Sequence, residues 1–169
     1  MKSILTAAGC ALLTTACATV APDGPSATAV VRPASSSQVH GEAKFTQVGN
    51  RVRVTAEIAG LTPGVHGFHI HEKGDCSAAD GMSTGGHFNP LAKKHGAPDT
   101  PDRHAGDLGN LTANEYGKAT LALTVDGISV GKGPDGIIGR GLIVHANADD
   151  LKTDPTGNAG GRFGCGVIE

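Results

Sequence analysis

Apolar and polar residues alternate along much of this chain, which is the period of a β-strand. In residues 51–58 every second residue is apolar, and those between are charged or carry a hydroxyl. This pattern predicts a sheet with one buried and one solvent-facing side. Turn sequences separate the strand-like stretches, and no helical period is sustained. These stretches cover residues 27–33, 37–45, 50–61, 65–72, 118–125 and 141–148.

Two stretches interrupt the alternation, residues 73–108 and residues 149–164. Both are rich in Gly and polar residues. A loop of about 35 residues inside a compact domain is unusual and normally serves function or an internal clamp. The sequence therefore predicts an all-β protein, an antiparallel sandwich or barrel that carries two long loops.

The length, charge and composition of the chain bear on its fold and on the partners it could bind. The 169 residues suffice for one domain, and 14 basic residues nearly balance 16 acidic ones. Nothing in this balance favours a nucleic-acid partner, and we predict none. The 26 glycines and the absence of Trp favour many tight turns over a helical bundle.

The N-terminus has the features of a secretory leader. A basic Lys2 precedes a short apolar stretch, and small residues surround Cys17. We predict a signal peptide over residues 1–21 and export, to a bacterial periplasm. Two kinds of processing stay open: plain cleavage near residues 18–21, and lipoprotein cleavage that would lipidate Cys17 and attach the protein to a membrane. Residues 22–37 are predicted to be a short tether with a first strand, and residues 38–169 the folded domain.

Two cysteines, Cys76 and Cys165, remain after removal of the leader. In an exported protein two such cysteines usually form a disulfide, and two buried thiols are the alternative. Closing a loop of about 90 residues would contribute about 4 kcal/mol in the chain-entropy model.

Candidate metal chemistry begins at the sequence FHIH, residues 68–71. On a strand, His69 and His71 would point to one face, and the apolar Phe68 and Ile70 to the other. The two imidazoles would then form a chelating pair. The alternative is a half-buried strand with an incidental polar face.

The first long loop contains a second candidate set within 21 residues: His87, His95, His104 and Asp107. Three imidazoles and one carboxylate complete a tetrahedral zinc set with no open position, which is typical of a structural site. A bound metal would order so long a loop. The alternative is a surface loop with scattered histidines. Outside the loop, His145 could join the chelating pair in a nitrogen-only set, which suits copper(II).

Five motifs occur in one order: GFHIHEKGD, GGHFNP, HAGDLGN, VHANADD and GNAGGRFGCGVIE. With them the chain resembles the copper,zinc superoxide dismutase family, of the bacterial exported type, from about residue 38 to 168. The resemblance implies a Greek-key barrel of about eight strands with a zinc/disulfide loop and an electrostatic loop. It also implies one copper and one zinc per chain.

The resemblance assigns roles to individual residues. The copper ligands would be His69, His71, His87 and His145. The zinc ligands would be His87, His95, His104 and Asp107, so His87 would bridge the two metals. Asp149 would join His69 to His95. The two catalytic residues would be His87 and Arg162, the latter docking the superoxide anion.

The implied reaction converts two superoxide anions and two protons to dioxygen and hydrogen peroxide, by alternate reduction and oxidation of copper. Lys152 is the first candidate for steering superoxide, followed by Lys93 and Lys94. His66 is expected to make a structural hydrogen bond, and His40 has no predicted role.

The sequence offers two alternative functions. A hydrolase resembling the metallo-β-lactamases would continue the H-x-H sequence with an aspartate and a further histidine, and this chain does not. A non-enzymatic protein that buffers copper and zinc would need no cation such as Arg162 to dock an anion. Monomer and homodimer both stay open, because dimer contacts differ between groups of the family.

Overall fold

The structure is a computed structural model that describes residues 23–169. The predicted signal peptide and Cys17 lie outside these residues. The described part contains eight strands and one short 3₁₀ helix, Met82–Thr84, and no helix in it is long and apolar enough to cross a membrane. The strands are β1 Asp23–Pro33, β2 His40–Val48, β3 Arg51–Ala59, β4 Gly64–His71, β5 Asp107–Ala113, β6 Ala119–Val125, β7 Gly141–His145 and β8 Arg162–Val167.

The strands form one antiparallel sheet in the order β5-β4-β7-β8-β1-β2-β3-β6. Strand β1 joins the two halves, since it pairs with β2 over most of its length and with β8 through Arg32 and Pro33. The terminal strands of the order, β5 and β6, also contact each other. The sheet is therefore a nearly closed barrel, and the predicted all-β antiparallel fold is confirmed.

The barrel interior is apolar, as the alternation predicted. In β3, the residues Val52, Val54, Ala56 and Ile58 are buried and those between them are exposed or half-buried. Phe45 and Phe68 are the largest fully buried side chains. Burial of such side chains stabilises the barrel by roughly 1.5–3 kcal/mol each.

Three boundaries differ from the sequence prediction. Strand β1 begins at Asp23, so the residues predicted to be a tether belong to the barrel. Strand β2 begins at His40 rather than residue 37, because the preceding turn takes up the backbone N–H groups: that of Ser37 donates to the Ala34 carbonyl and that of Val39 to Ser37 Oγ. Strand β5 was missed, and the first loop was predicted to run on to residue 108.

Both long loops form backbone hydrogen bonds with β4. In the first loop, residues 72–106, the Phe88 N–H donates to the Ile70 carbonyl, and the Gly106 carbonyl accepts the Ile70 N–H. In the second loop, residues 146–161, the carbonyl of Asn147 accepts the Gly67 N–H at 2.8 Å. A disulfide between Cys76 and Cys165 ties the first loop to β8 and confirms the predicted pairing. The polar residues of both loops are thus brought to the histidine-bearing end of β4.

Candidate metal centre

Two neighbouring strands supply three histidines of one cluster. His69 and His71 end β4, and His145 ends β7, which pairs with β4. A register shift between Val144 and His145 places His145 opposite Arg162 on β8. The first loop adds His87, which forms an isolated bridge with His71. The sheet register therefore gathers the residues that the sequence predicted as copper ligands.

This cluster offers four buried ring nitrogens with no hydrogen-bond partner among the described residues. They are Nδ1 of His69 and Nε2 of His71, His87 and His145. One ligand atom from each residue lies within 4.8 Å of those of the other three. Leaving buried polar atoms unpaired is costly, and such atoms normally have an explanation. Four converging nitrogens fit a cation of the kind that prefers imidazole, such as copper.

The opposite nitrogen of three of these rings is held in place. His69 Nε2 lies 2.7 Å from Asp149 Oδ2. His71 Nδ1 donates to the carbonyl of Gly85 at 3.0 Å, and His145 Nδ1 donates to that of Gly160 at 3.3 Å. A hydrogen bond on one nitrogen fixes the tautomer and leaves the other nitrogen free as a ligand. The unpaired nitrogens are thus preset to face the cluster centre.

The second cluster is built around one carboxylate. Asp107 Oδ1 lies 2.9 Å from Nδ1 of His87, 3.1 Å from Nδ1 of His95 and 3.3 Å from Nδ1 of His104. The Nδ1 atoms of His87 and His104 are 3.4 Å apart. Zinc–nitrogen bonds of 2.0–2.1 Å in a tetrahedron separate ligand atoms by about 3.3 Å. The predicted zinc set therefore converges at the spacing that zinc requires.

The backbone orients the central carboxylate. Asp107 Oδ2 accepts the N–H groups of Gly96 and His104 at 3.1 and 2.9 Å. Its other oxygen is thereby turned toward the three rings. The residue is fully buried, so water screens the attraction between its charge and the three neighbouring rings only weakly.

Asp149 connects the two clusters. Its Oδ2 contacts His69 Nε2 at 2.7 Å, and its Oδ1 contacts His95 Nε2 at 2.8 Å. Asn110 holds its backbone on both sides, since the side-chain amide donates to the Asp149 carbonyl and the side-chain oxygen accepts the Asp149 N–H. The structure thus brings Asp149 to the two rings that the sequence predicted, and it adds Asn110 as the residue that positions it.

Burial governs the ionisation of the metal-free cluster. Burial, with the neighbouring histidines, lowers the pKa of His87 to about 4 and that of His145 to about 3. Burial also lowers the pKa of His95, but hydrogen bonds to Asp107 and Asp149 outweigh it and raise that pKa to about 10. At neutral pH, His87 and His145 are therefore neutral and able to bind a metal.

Arg162 lies beside the first cluster, with only 8% of its surface exposed. Its Nη1 donates to the Gly81 carbonyl at 2.9 Å and to Thr84 Oγ1 at 2.7 Å. Its Nη2 donates to the Gly85 carbonyl at 2.8 Å. Of the five guanidinium N–H groups, two remain without a partner among the described residues. A fixed fork of donors of this kind suits a small anion.

The remaining sequence candidates have simple surroundings. His66 is buried, and its ring nitrogens lie 2.9 Å from the carbonyl oxygens of His145 and Thr62, so the predicted structural hydrogen bond is confirmed. Lys152 and Lys94 are exposed, and Lys93 Nζ donates to the Pro101 carbonyl. Sequence reasoning missed Thr84, which accepts from Arg162, Asn110, which positions Asp149, and Asp154, which accepts the His95 N–H. A single sequence carries no signal for these residues, because their contacts depend on how the chain folds.

Comparisons with known proteins agree with this geometry. The family model described as copper/zinc superoxide dismutase (SODC) matches residues 39–168. The chain is also similar to a solved structure of a protein described as the clock protein EA4. The identity is 44%, the match covers 92% of this chain and 98% of that one, and the TM-score is 0.76.

Proposed function

Because the chain belongs to the copper/zinc superoxide dismutase family, we propose that it is itself a superoxide dismutase, with one copper and one zinc per chain. The observation that carries this proposal is the position of His87. Its Nδ1 belongs to the second cluster and its unpaired Nε2 to the first. A single imidazole shared by two metal sets is a feature that metal buffering does not need.

The residues assign the metals to the two clusters. The nitrogen-only set of His69, His71, His87 and His145 would hold copper, and the set that contains Asp107 would hold zinc. When bound, copper supplies the one-electron chemistry and zinc supplies fixed positive charge. The side chains of the protein bind the substrate, orient the ligand rings and supply the proton.

Arg162 would bind the substrate. The two guanidinium N–H groups that have no partner among the described residues would donate to superoxide beside the first cluster. The net charge of the chain is −2, so attraction must be local, and we propose that Lys152 adds to it, with Lys93 and Lys94 weaker contributors.

His87 would carry the proton. Its unpaired Nε2 belongs to the first cluster, while Asp107 holds its Nδ1. A proton on Nε2 can be passed to the peroxide product when this nitrogen is not a ligand. Asp149 keeps His69 and His95 oriented throughout.

The cellular setting belongs to the same proposal. The leader-like N-terminus supports export to a bacterial periplasm, either free or attached to a membrane through a lipidated Cys17. The disulfide supports an oxidising compartment. A homodimer is proposed as one of two states, and no nucleic-acid partner is expected.

Metal buffering on the same fold is the second candidate. The similar solved protein is described as a clock protein, so membership of the family does not by itself establish catalysis. Arg162 distinguishes the two candidates, because storage of metal does not require a buried cation that presents free donors to an anion.

The test measures metal content and superoxide consumption on one purified sample loaded with copper and zinc. We expect one copper and one zinc per chain and fast turnover. In His87→Ala, turnover should fall by at least 100-fold, since removing a bridging ligand harms both sites. Two bound metals with negligible turnover in the wild type would favour buffering instead.

A further inference from the structure

Asp154, in the second loop, lies against two of the proposed zinc ligands. Its Oδ1 accepts the backbone N–H of His95 at 2.6 Å. The same oxygen lies 3.9 Å from Nε2 of His104. One carboxylate oxygen from the second loop thus touches the first loop at both residues.

The three histidines of the zinc set differ in what faces their outer nitrogen. Nε2 of His87 faces the copper set, and Nε2 of His95 is bonded to Asp149. For His104, the acidic group nearest to Nε2 among the described residues is Asp154. Metal-binding histidines usually have a carboxylate, carbonyl or water at the outer nitrogen, which holds the ring and raises its basicity.

The charge of Asp154 is not taken up by a cation. Among the described ion pairs, neither a lysine nor an arginine lies within 4.0 Å of this carboxylate, and His104 is its one partner. The side chain is 49% exposed, so its field is partly screened by water. At 3.9 Å the carboxylate is beyond direct hydrogen-bond distance from the ring, and it acts through its charge.

The second loop is folded tightly enough to keep Asp154 in place. The N–H of Gly157 donates to the Thr153 carbonyl at 2.7 Å, and the Asp150 N–H donates to the Gly157 carbonyl at 2.8 Å. Gly157 has φ of +62°, and a Cβ there would collide with Asp149 and His95. Only glycine permits this close approach, which fixes the distance between the second loop and the zinc set.

We infer that Asp154 is a positioning residue of the zinc site, whose negative charge holds the His104 ring and strengthens zinc binding. The inference rests on the proposed function, because it takes the second cluster to be a zinc site. It adds a link between the two loops, since the second loop would then contribute to zinc affinity through a residue that does not bind the metal.

Three variants separate charge from structure. Asp154→Asn keeps an oxygen acceptor for the His95 N–H and removes the charge, whereas Asp154→Ala removes both. Asp99→Asn is the matched control, because Asp99 lies exposed in the first loop and its side chain makes no hydrogen bond to the described residues. Zinc affinity is measured for each purified protein by competition with a chelator, at low and high salt.

Outer partners of metal-binding histidines typically change affinity by about 10- to 100-fold. For a half-exposed carboxylate we expect zinc binding to weaken by roughly 3- to 10-fold in Asp154→Asn. The difference from the wild type should shrink at high salt, an effect that a purely structural role would not produce. Asp154→Ala should be at least as weak, and Asp99→Asn should match the wild type.

The outcomes distinguish the two proposals. If the wild type binds zinc tightly and Asp154→Asn binds it equally well, the role of Asp154 is refuted and the proposed function stands. If the wild type binds no zinc, the proposed function is refuted together with this inference. A salt-independent loss that appears only in Asp154→Ala would reduce Asp154 to a structural hydrogen-bond acceptor.

Discussion

At the scale of single residues, the centre depends on which nitrogen of each imidazole is left free. Backbone carbonyls of Gly85 and Gly160 make that choice for His71 and His145, and Asp149 makes it for His69. The sequence could predict the ligand types, because histidine and aspartate are visible in it. It could not predict these carbonyl partners, because every residue carries a carbonyl and only the fold decides which one is near.

Thr84 is the side chain that anchors Arg162. It is fully buried, and its Oγ1 accepts from Arg162 Nη1 at 2.7 Å while donating to the Gly81 carbonyl at 2.9 Å. In Thr84→Val the shape is kept, but a buried charged donor loses its acceptor, which costs roughly 1–3 kcal/mol. We expect the second-order rate constant for superoxide to fall by about 10-fold, as measured by pulse radiolysis.

The control for this prediction is Thr84→Ser, which keeps the hydroxyl and should stay close to the wild type. The metal content of both variants should be unchanged, because the Thr84 hydroxyl makes no hydrogen bond to a proposed ligand among the described residues. Equal rate constants for the valine and serine variants would mean that the two glycine carbonyls alone position Arg162.

At the scale of elements, the sequence predicted both alternating strands such as β3 and short apolar runs such as β7, which is buried along its whole length. Strand β3 alternates cleanly and was predicted within a few residues. Strand β5 was missed because it begins at Asp107, a proposed ligand, and alternates only toward its end, where Asn110 and Thr112 are less buried than Leu111 and Ala113. So short an alternation directly after an irregular loop is a weak strand signal. The two loops were predicted as irregular, but their contacts with β4 are long-range and leave no local pattern.

The disulfide joins the first loop to β8 at the place where that loop anchors Arg162. Cys76 precedes Gly81 and Thr84 in the loop, and Cys165 follows Arg162 in β8. We expect Cys76→Ser to lower the free energy of unfolding by about 3–5 kcal/mol, because the unfolded chain is no longer constrained. It should also lower turnover per bound copper, because the segment that accepts from Arg162 is freed.

Denaturant unfolding measures the predicted loss of stability, and turnover divided by copper content measures the predicted loss of activity. Cys165→Ser should reproduce the stability loss, and the double variant should lose no more than either single one, since each removes the same bond. Turnover per copper that stays at the wild-type level would show that hydrogen bonds alone keep Arg162 in place.

At the scale of the whole molecule, the fold buries the histidines and carboxylates of both clusters together. In the metal-free protein each of these groups shifts the pKa values of its neighbours. Burial lowers the pKa of His69, His71, His87 and His145. Burial lowers the pKa of His95 too, but the carboxylates of Asp107 and Asp149 outweigh this effect and raise its pKa to about 10. Stability should therefore depend on pH on both sides of the ordinary histidine pKa.

The signs follow from linkage between protonation and folding. In the unfolded chain, His87 and His145 become protonated as pH falls below 6.5, the ordinary histidine pKa. In the folded protein they stay neutral until the pH approaches their lowered pKa values of about 4 and about 3. Their contribution to stability is thus complete above pH 6.5 and is lost as pH falls. His95 contributes fully below pH 6.5 and loses its contribution as pH rises toward 10. The metal-free protein should be most stable near pH 6.5.

Urea unfolding of the chelator-stripped protein from pH 4.5 to pH 9 measures this curve. Below pH 6.5 the free energy of unfolding should fall by at least roughly 3 kcal/mol per pH unit, which is the contribution of His87 and His145 together. His145→Asn removes one of these two groups and should make that acid limb shallower by half of this contribution, about 1.4 kcal/mol per pH unit. An acid limb of equal slope in both proteins would mean that His145 is not kept neutral by burial. The clusters would then need a metal to become fully buried.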